Sequence, residues 1–529
     1  MRYFLEDSMK ISRKSGILLH PTSLPCTPGI GTFGKPAFDF VDWLASAGIS
    51  LWQVLPLGPT GFGDSPYQSF SAFALNPLLI DFNLLAEKNW AKQEDIQIPE
   101  YICSEGNVNY GAVVQWKKSV FEVLAKNIKK NGDVSFSKEF KNFEGNNKFW
   151  LDDYSLFMSI KADYDSKGMW NKAWPEALRD RESSAIEEWK KTHQQQIFMH
   201  KVMQFFAFSQ WNELHQYANK KGIEIIGDIP IFVSPDSADV WANQNYFQLD
   251  KNKNPKVVAG VPPDYFSPTG QLWGNPLYDW KKLEENNFDW WINRVVHALK
   301  ITDYVRIDHF RGFDSYWAVK NGSKTAENGK WMKGPGIKLF NAIKAAAGDL
   351  PLIAEDLGEI TESVRKLREK TGLPGMKILQ FGFDTNEYYS KKLKNSFLPH
   401  NYSDTNFVSY TGTHDNDTTQ GSLNSMSNEC LCLIASYIKG RNVDWEEARN
   451  LSSSGELCRS LVAKCFESIA SFAIVPLQDL YCFGSDCRMN TPGTGNSNWA
   501  WRMREDLLYG EQAEETAKWL SELNILYAR

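Results

Sequence analysis

The sequence lacks any apolar run of about 18 residues, the length a membrane-spanning helix requires. It also lacks an apolar segment behind a basic N-terminus, so no export signal and no membrane partner are expected. No sustained basic run is present, and the formal charge of −6 is spread along the chain. Nucleic acid is therefore excluded as an expected partner, because phosphate neutralisation needs a basic surface. A glycine-rich phosphate loop, an H-E-x-x-H pair and a D-x-D-x-D-G calcium loop are all missing. The eight cysteines (Cys26, Cys103, Cys430, Cys432, Cys458, Cys465, Cys482 and Cys487) form no C-x-x-C pair and have no histidine at a zinc-ligand spacing. Scattered thiols in a long chain without an export signal read as reduced, mostly buried and cytoplasmic. Internal repeats and low-complexity tracts are absent as well.

What is there is length and aromatic content. At 529 residues with 14% Phe, Trp and Tyr, the chain has ample material for a core, and rings suit either core packing or sugar faces. Composition alone favours the core. Along the chain, short apolar runs end in polar residues: Gly16–Leu24, Ser50–Pro59, Glu224–Phe232, Asp303–Phe310, Leu350–Leu357, Gly375–Phe383, Asn406–Asp415 and Phe472–Tyr481. Runs of this kind, bounded by Gly, Pro or Asp, read as buried strands. Amphipathic stretches lie between many of them, such as Pro36–Gly48, Lys201–Gly222, Phe288–Lys300, Gly336–Gly348 and Thr361–Gly372. Thr361 is expected to cap the last of these and Gly372 to end it.

Eight strands alternating with helices predict an α/β fold, a (β/α)8 TIM barrel. No clear helix separates the sixth and seventh strands. Two connections exceed a simple crossover: residues 60–200, mostly helical, and residues 234–283, rich in Pro, Asn, Gly and aromatics. Both are expected as insertions around the C-terminal face of a single catalytic barrel spanning 1–529, the second contributing to the site.

That face is where a parallel barrel carries its chemistry. The strand ends bring Asp228, Asp308, Glu355 and Asp415 there. Converging carboxylates resist full ionisation, which raises the pKa of one of them. One protonated and one ionised carboxyl group is what glycosidic bond cleavage needs, with about 5–5.5 Å between them in a retaining enzyme. Taken alone, Asp228 reads as a turn former or helix cap. In VRIDHFRGF the crowding of Arg306, Asp308, His309 and Arg311 is costly unless they pair. Arg306 and Asp308 alternate onto one face, where a guanidinium can hold a nucleophilic carboxylate ionised. Glu355, after the apolar LPLIA, suits a general acid. Asp356 reads as a helix-start cap, and Asn416 and Asp417 as strand terminators capping the next helix. His414 and Asp415 read either as turn residues or as partners of sugar hydroxyls.

These segments resemble the α-amylase superfamily and, more closely, its 4-α-glucanotransferases, the amylomaltases or disproportionating enzymes. The resemblance runs almost end to end through GILLHPTSLP, DSPYQSFSAFALNP, GDIPIFV, VAGVPPDYFSPTGQLWGNPLYDW, RIDHFRGF, AEDLG, GTHDNDT and RMNTPGTGNSNWAWR. It implies that Asp308 is the nucleophile, Glu355 the general acid/base, and Asp415 a third carboxylate that binds and distorts the donor sugar. Arg306 and His414 match orienting partners and Asp228 a donor-site carboxylate. Tyr67 and Trp273 match glucan-packing aromatics, with Phe381 and Asn490 in matching subsite segments. Leu75 and Ser497 stand where the family commonly has Gly, and Lys320 where Pro is common.

The resemblance further implies α-1,4-glucans, maltooligosaccharides and glucose as substrates, transferred by double displacement in glycogen, starch or maltodextrin metabolism. No metal or organic cofactor is called for, since carboxylates supply both proton transfer and attack. Residues 258–275, with Tyr265, Phe266 and Trp273, are expected to form a lid or a rigid loop. The alternatives are an α-glucan hydrolase of the same superfamily and an inactive glucan-binding protein. Glucan length, acceptor preference, cyclic products and oligomeric state are not encoded in these patterns.

Overall fold

In the computed structural model, residues 13–529 are described except 27, 103–105, 132–133, 264–266, 384–392 and 496. All eight expected strands form: β1 (Lys14–Leu18), β2 (Leu51–Gln53), β3 (Glu224–Ile229), β4 (Tyr304–Ile307), β5 (Leu352–Ala354), β6 (Gly375–Ile378), β7 (Phe407–Tyr410) and β8 (Phe472–Pro476). They pair in parallel in the order β6-β7-β8-β1-β2-β3-β4-β5. Their near-continuous apolar character follows from burial on both faces; β5, for example, is 1% exposed or less along its length. Inside, the Tyr410 hydroxyl donates to Gln53 Oε1 at 2.9 Å, tying β7 to β2.

The two ends of the sheet meet at β5 and β6. There Ala354 N–H donates to Pro374 O at 2.9 Å. Beside that bond, Asp356 accepts from Met376 N–H at 2.8 Å and pairs with Arg368 at 3.1 Å. Asp356 is thus a seam residue rather than the expected helix cap. Its approach requires Gly375, where a Cβ would stand 2.5 Å from the carboxylate. Two other capping expectations are corrected. The helix after β7 (Thr419–Ser425) is capped by the Thr418 side chain, which accepts from Gly421 N–H, while Asn416 and Asp417 fold back onto Thr413 and Thr418. Thr361 occupies the N-cap of Glu362–Thr371 without a side-chain cap bond, its hydroxyl meeting Ser363 instead. Gly372 ends that helix in the left-handed conformation, as expected.

Between β2 and β3 run the long helices Tyr110–Asn131, Val134–Tyr164 and Gln194–Lys220. Their aromatic side chains pack ring to ring, as with Phe136 against Phe140, Phe205 and Phe206. Most of the aromatic excess is spent in this way. The segment expected to be loop-rich holds two strands, Val257–Val261 and Gln271–Pro276, which join Ser315–Lys320 and Gly329–Lys333 in a separate antiparallel sheet. Its strands are bounded by Gly, Pro and Asn, and pairing across two barrel connections is a tertiary event that local pattern does not encode. Among the described residues no helix is long and apolar enough to cross a membrane.

Candidate active site

β4 places Arg306 and Asp308 two residues apart, so both side chains leave the same face. Arg306 is buried, and its guanidinium forks: Nη1 donates to Asp228 Oδ2 at 2.6 Å and Nη2 to Asp308 Oδ1 at 2.9 Å. The Tyr67 hydroxyl donates to the same Asp228 oxygen at 2.7 Å. A buried guanidinium demands such partners, and its two carboxylates raise its pKa well above the ordinary arginine value. Burial pushes Asp228 up to about 7, against the pull of Arg306. Asp228 Oδ1 makes no hydrogen bond to the protein. Asp308 retains 27% side-chain exposure.

Glu355 follows β5. Its Oε2 accepts from His309 N–H at 2.6 Å and its Oε1 from Leu357 N–H at 2.9 Å. His309 reaches this position in the left-handed region, with φ of 51°; that strained turn aims its N–H at the carboxyl group. Burial and then the neighbouring Asp308 charge push Glu355 up to about 8, opposed by Arg306 and the two backbone donors. The site thus holds a half-buried carboxylate fixed by arginine beside a carboxyl group inclined to keep its proton.

Asp415, after β7, is fixed from the C-terminal segment. Asn490 Nδ2 donates to its Oδ1 at 2.6 Å, and Arg488 Nη2 to its carbonyl oxygen at 2.6 Å. His414 Nε2 lies 3.4 Å from the same carboxylate. Burial lowers the His414 pKa, so the ring faces the site as neutral imidazole. It stacks on Tyr67 with centroids 5.1 Å apart, and Trp499 lies against both rings at 5.6 and 5.8 Å. Trp273 stands edge-on to His309 at 4.9 Å.

Nine of the ten site residues expected from sequence are therefore linked by direct contact or through a shared neighbour. Phe381 stands apart: it lies in the turn Leu379–Gly382 after β6, 38% exposed, with its ring against Phe397. Tyr265 and Phe266 lie outside the described residues. Sequence reasoning missed Arg488 and Trp499, although the quoted RMNTPG and NSNWAW segments contained them.

The departures from family pattern resolve differently. Ser497 adopts φ of 63°, a conformation favouring glycine, at a conformational cost. Leu75 is buried, its backbone hydrogen-bonded both ways to the Gln204 amide. Lys320 is an exposed strand end paired opposite Val257.

The chain matches the family model described as 4-alpha-glucanotransferase over residues 19–508. It is 45% identical to the 4-alpha-glucanotransferase of Thermus thermophilus, over 96% of this chain and 97% of that one. It is 40% identical to the chloroplastic/amyloplastic 4-alpha-glucanotransferase of Solanum tuberosum, over 98% and 86%. Among solved structures, the amylomaltase from Streptococcus agalactiae in complex with acarbose superposes with a TM-score of 0.90 at 39% identity, covering 98% of this chain and 100% of that one.

Proposed function

The chain belongs to the 4-alpha-glucanotransferase family, and from that premise we propose that Asp308, Glu355 and Asp415 carry out its reaction. The protein is a glycosyltransferase that moves a segment of an α-1,4-glucan to glucose or to another glucan, with maltooligosaccharides as substrates. The observation that carries the residue assignment is the Arg306 fork, which holds Asp308 in place beside the proton-retaining Glu355.

Asp308 attacks the anomeric carbon while Glu355 gives its proton to the departing sugar oxygen. Loss of that proton leaves Glu355 as the base that later deprotonates the acceptor 4-hydroxyl, which displaces Asp308 with net retention. Asp415, held by Asn490 and flanked by His414, binds the donor sugar hydroxyls. Asp228 and Tyr67 keep Arg306 in place. Trp273 offers a ring to the glucan, and Phe381 is assigned a more distant subsite. The single-barrel reading, with residues 60–200 and 234–283 as insertions, is part of this proposal. So is a cytoplasmic location.

Maltotriose alone is expected to yield glucose plus a ladder of longer maltooligosaccharides. Production of only shorter sugars would overturn transfer in favour of hydrolysis. Asp308→Asn is expected to abolish the ladder with the melting temperature retained, and undiminished turnover would remove Asp308 from its role.

A further inference from the structure

Cys458 and Cys482 meet far from each other in sequence but around one carbonyl group. Cys458, buried in the helix Glu456–Glu467, places its sulfur 3.4 Å from Asp479 O, and Cys482 N–H donates to that same oxygen at 3.3 Å. Cys482 Sγ reaches Gly455 O at 3.6 Å, and Gly455 is the N-cap of the helix that carries Cys458, so the two thiols are neighbours. Gly455 permits this approach, since a Cβ there would stand 3.2 Å from the Cys482 sulfur. Cys482 is half-buried and left-handed, with φ of 52°.

We propose that this pair is an oxidation site, at which a hydroperoxide converts the two thiols to a disulfide that acts on the loop bearing Asp415. Cys482 is the attacking sulfur, because it reaches solvent while Cys458 does not. The Arg459 charge beside the pair favours the thiolate, the form that reacts with peroxide. Its sulfur forms an S–O bond as the peroxide O–O bond breaks, giving a sulfenic acid and hydroxide. Cys458 sulfur then attacks Cys482 sulfur: the S–S bond forms, the S–O bond breaks, and the hydroxyl leaves as water with the Cys458 proton. Two thiols give up two electrons, and hydrogen peroxide ends as two waters.

The bridge lies beside Asp479, the support of the sugar site. The Asp479 carboxylate accepts from the Thr411 hydroxyl at 2.6 Å and from Thr419 N–H at 2.7 Å, on either side of the His414–Asp415 turn. Beyond Cys482, Ser485 donates to Asp417 at 2.6 Å, and Arg488 holds the Asp415 carbonyl. Drawing the two neighbouring sulfurs to the ~2.05 Å of a covalent bond shifts this segment against the helix that holds Cys458.

The full-length protein is treated with hydrogen peroxide, its remaining thiols are alkylated, and the digest is mapped by mass. The expected result is a cross-linked peptide joining Cys458 to Cys482, dissolved by dithiothreitol. Cys458→Ser is expected to trap a sulfenic acid on Cys482 that dimedone labels. Recovery of both cysteines alkylated, under peroxide that oxidises other thiols in the chain, overturns the site, as does a sulfenic acid on Cys458 in Cys482→Ser. The bridge is read by mass alone and so stands apart from the assigned function. Its effect is read as a severalfold, dithiothreitol-reversible loss of maltotriose transfer that Cys482→Ser does not show. Full activity in the cross-linked protein overturns the link to the Asp415 loop.

Discussion

On the proposed assignment, replacing Glu355 with glutamine removes the proton given to the leaving sugar oxygen, and the pH dependence of transfer reports where that proton sits. At the ordinary glutamate value of 4.5, only about 0.3% of the side chain is protonated at pH 7; at about 8, roughly nine-tenths is. The environment thus multiplies the competent acid form by about 300. The expected profile of kcat/KM for maltotriose has an alkaline limb near pH 8, falling about tenfold per further pH unit. Glu355→Gln is expected to lose ~10²- to 10⁴-fold on maltotriose and to lack that limb. An aryl α-maltoside separates the steps, because its phenolate departs without a proton. With it, Glu355→Gln is expected to release a burst near the wild-type rate and then stall for want of a base. An unchanged alkaline limb in Glu355→Gln, or an equal loss on both substrates, refutes the assignment. Stability gives an independent check. A carboxyl group whose folded pKa is raised holds its proton where the unfolded chain has released it, so its contribution to stability falls as pH rises from 4.5 to about 8. The melting temperature of Glu355→Gln should therefore gain on the wild type across that window.

Arg306→Lys keeps the charge but not the fork, and one ammonium does not reproduce bonds of 2.6 and 2.9 Å to separate carboxylates. Loss of one charged hydrogen bond, about 1.5–3 kcal/mol, is expected to lower kcat/KM roughly tenfold to a hundredfold; a change below about twofold in steady-state assays would count against the fork. Asn490→Ala removes the 2.6 Å bond to Asp415, whose side chain is 46% exposed and open to replacement by water. The expectation is about 1 kcal/mol, seen as a fewfold rise in KM, and an unchanged KM would separate Asn490 from the sugar site.

Strand positions were legible because β3, β4, β5 and β8 carry buried apolar runs interrupted or ended by Asp228, Asp308, Glu355 and Gln478. Alternation alone joined Arg306 to Asp308. The second tooth of the fork was hidden, since Asp228 comes from a strand 78 residues away and only the parallel pairing of β3 with β4 sets it opposite Arg306. The same holds for Arg488 and Asn490, which act on Asp415 from more than 70 positions downstream. The antiparallel sheet escaped for another reason: its strands alternate around Gly260, Gly270 and Gly274 in a segment whose composition reads as loop. Asp356 was misread because an acidic residue after a strand looks locally like a cap, whatever partner the fold later supplies.

That residue carries a consequence for how substitutions in this chain should be interpreted. Glu355 rises from the place where, among the described residues, the barrel wall is stitched by a main-chain bond and a carboxylate instead of a ladder. Asp356 touches none of the reacting groups, yet it sits next to the acid in sequence and sets the tension of the hem from which the acid hangs. A variant library scored only by turnover would mark Asp356 and Gly375 as intolerant and place them among the chemical residues. They belong to the tailoring of the barrel, and at this edge tailoring and chemistry share a thread.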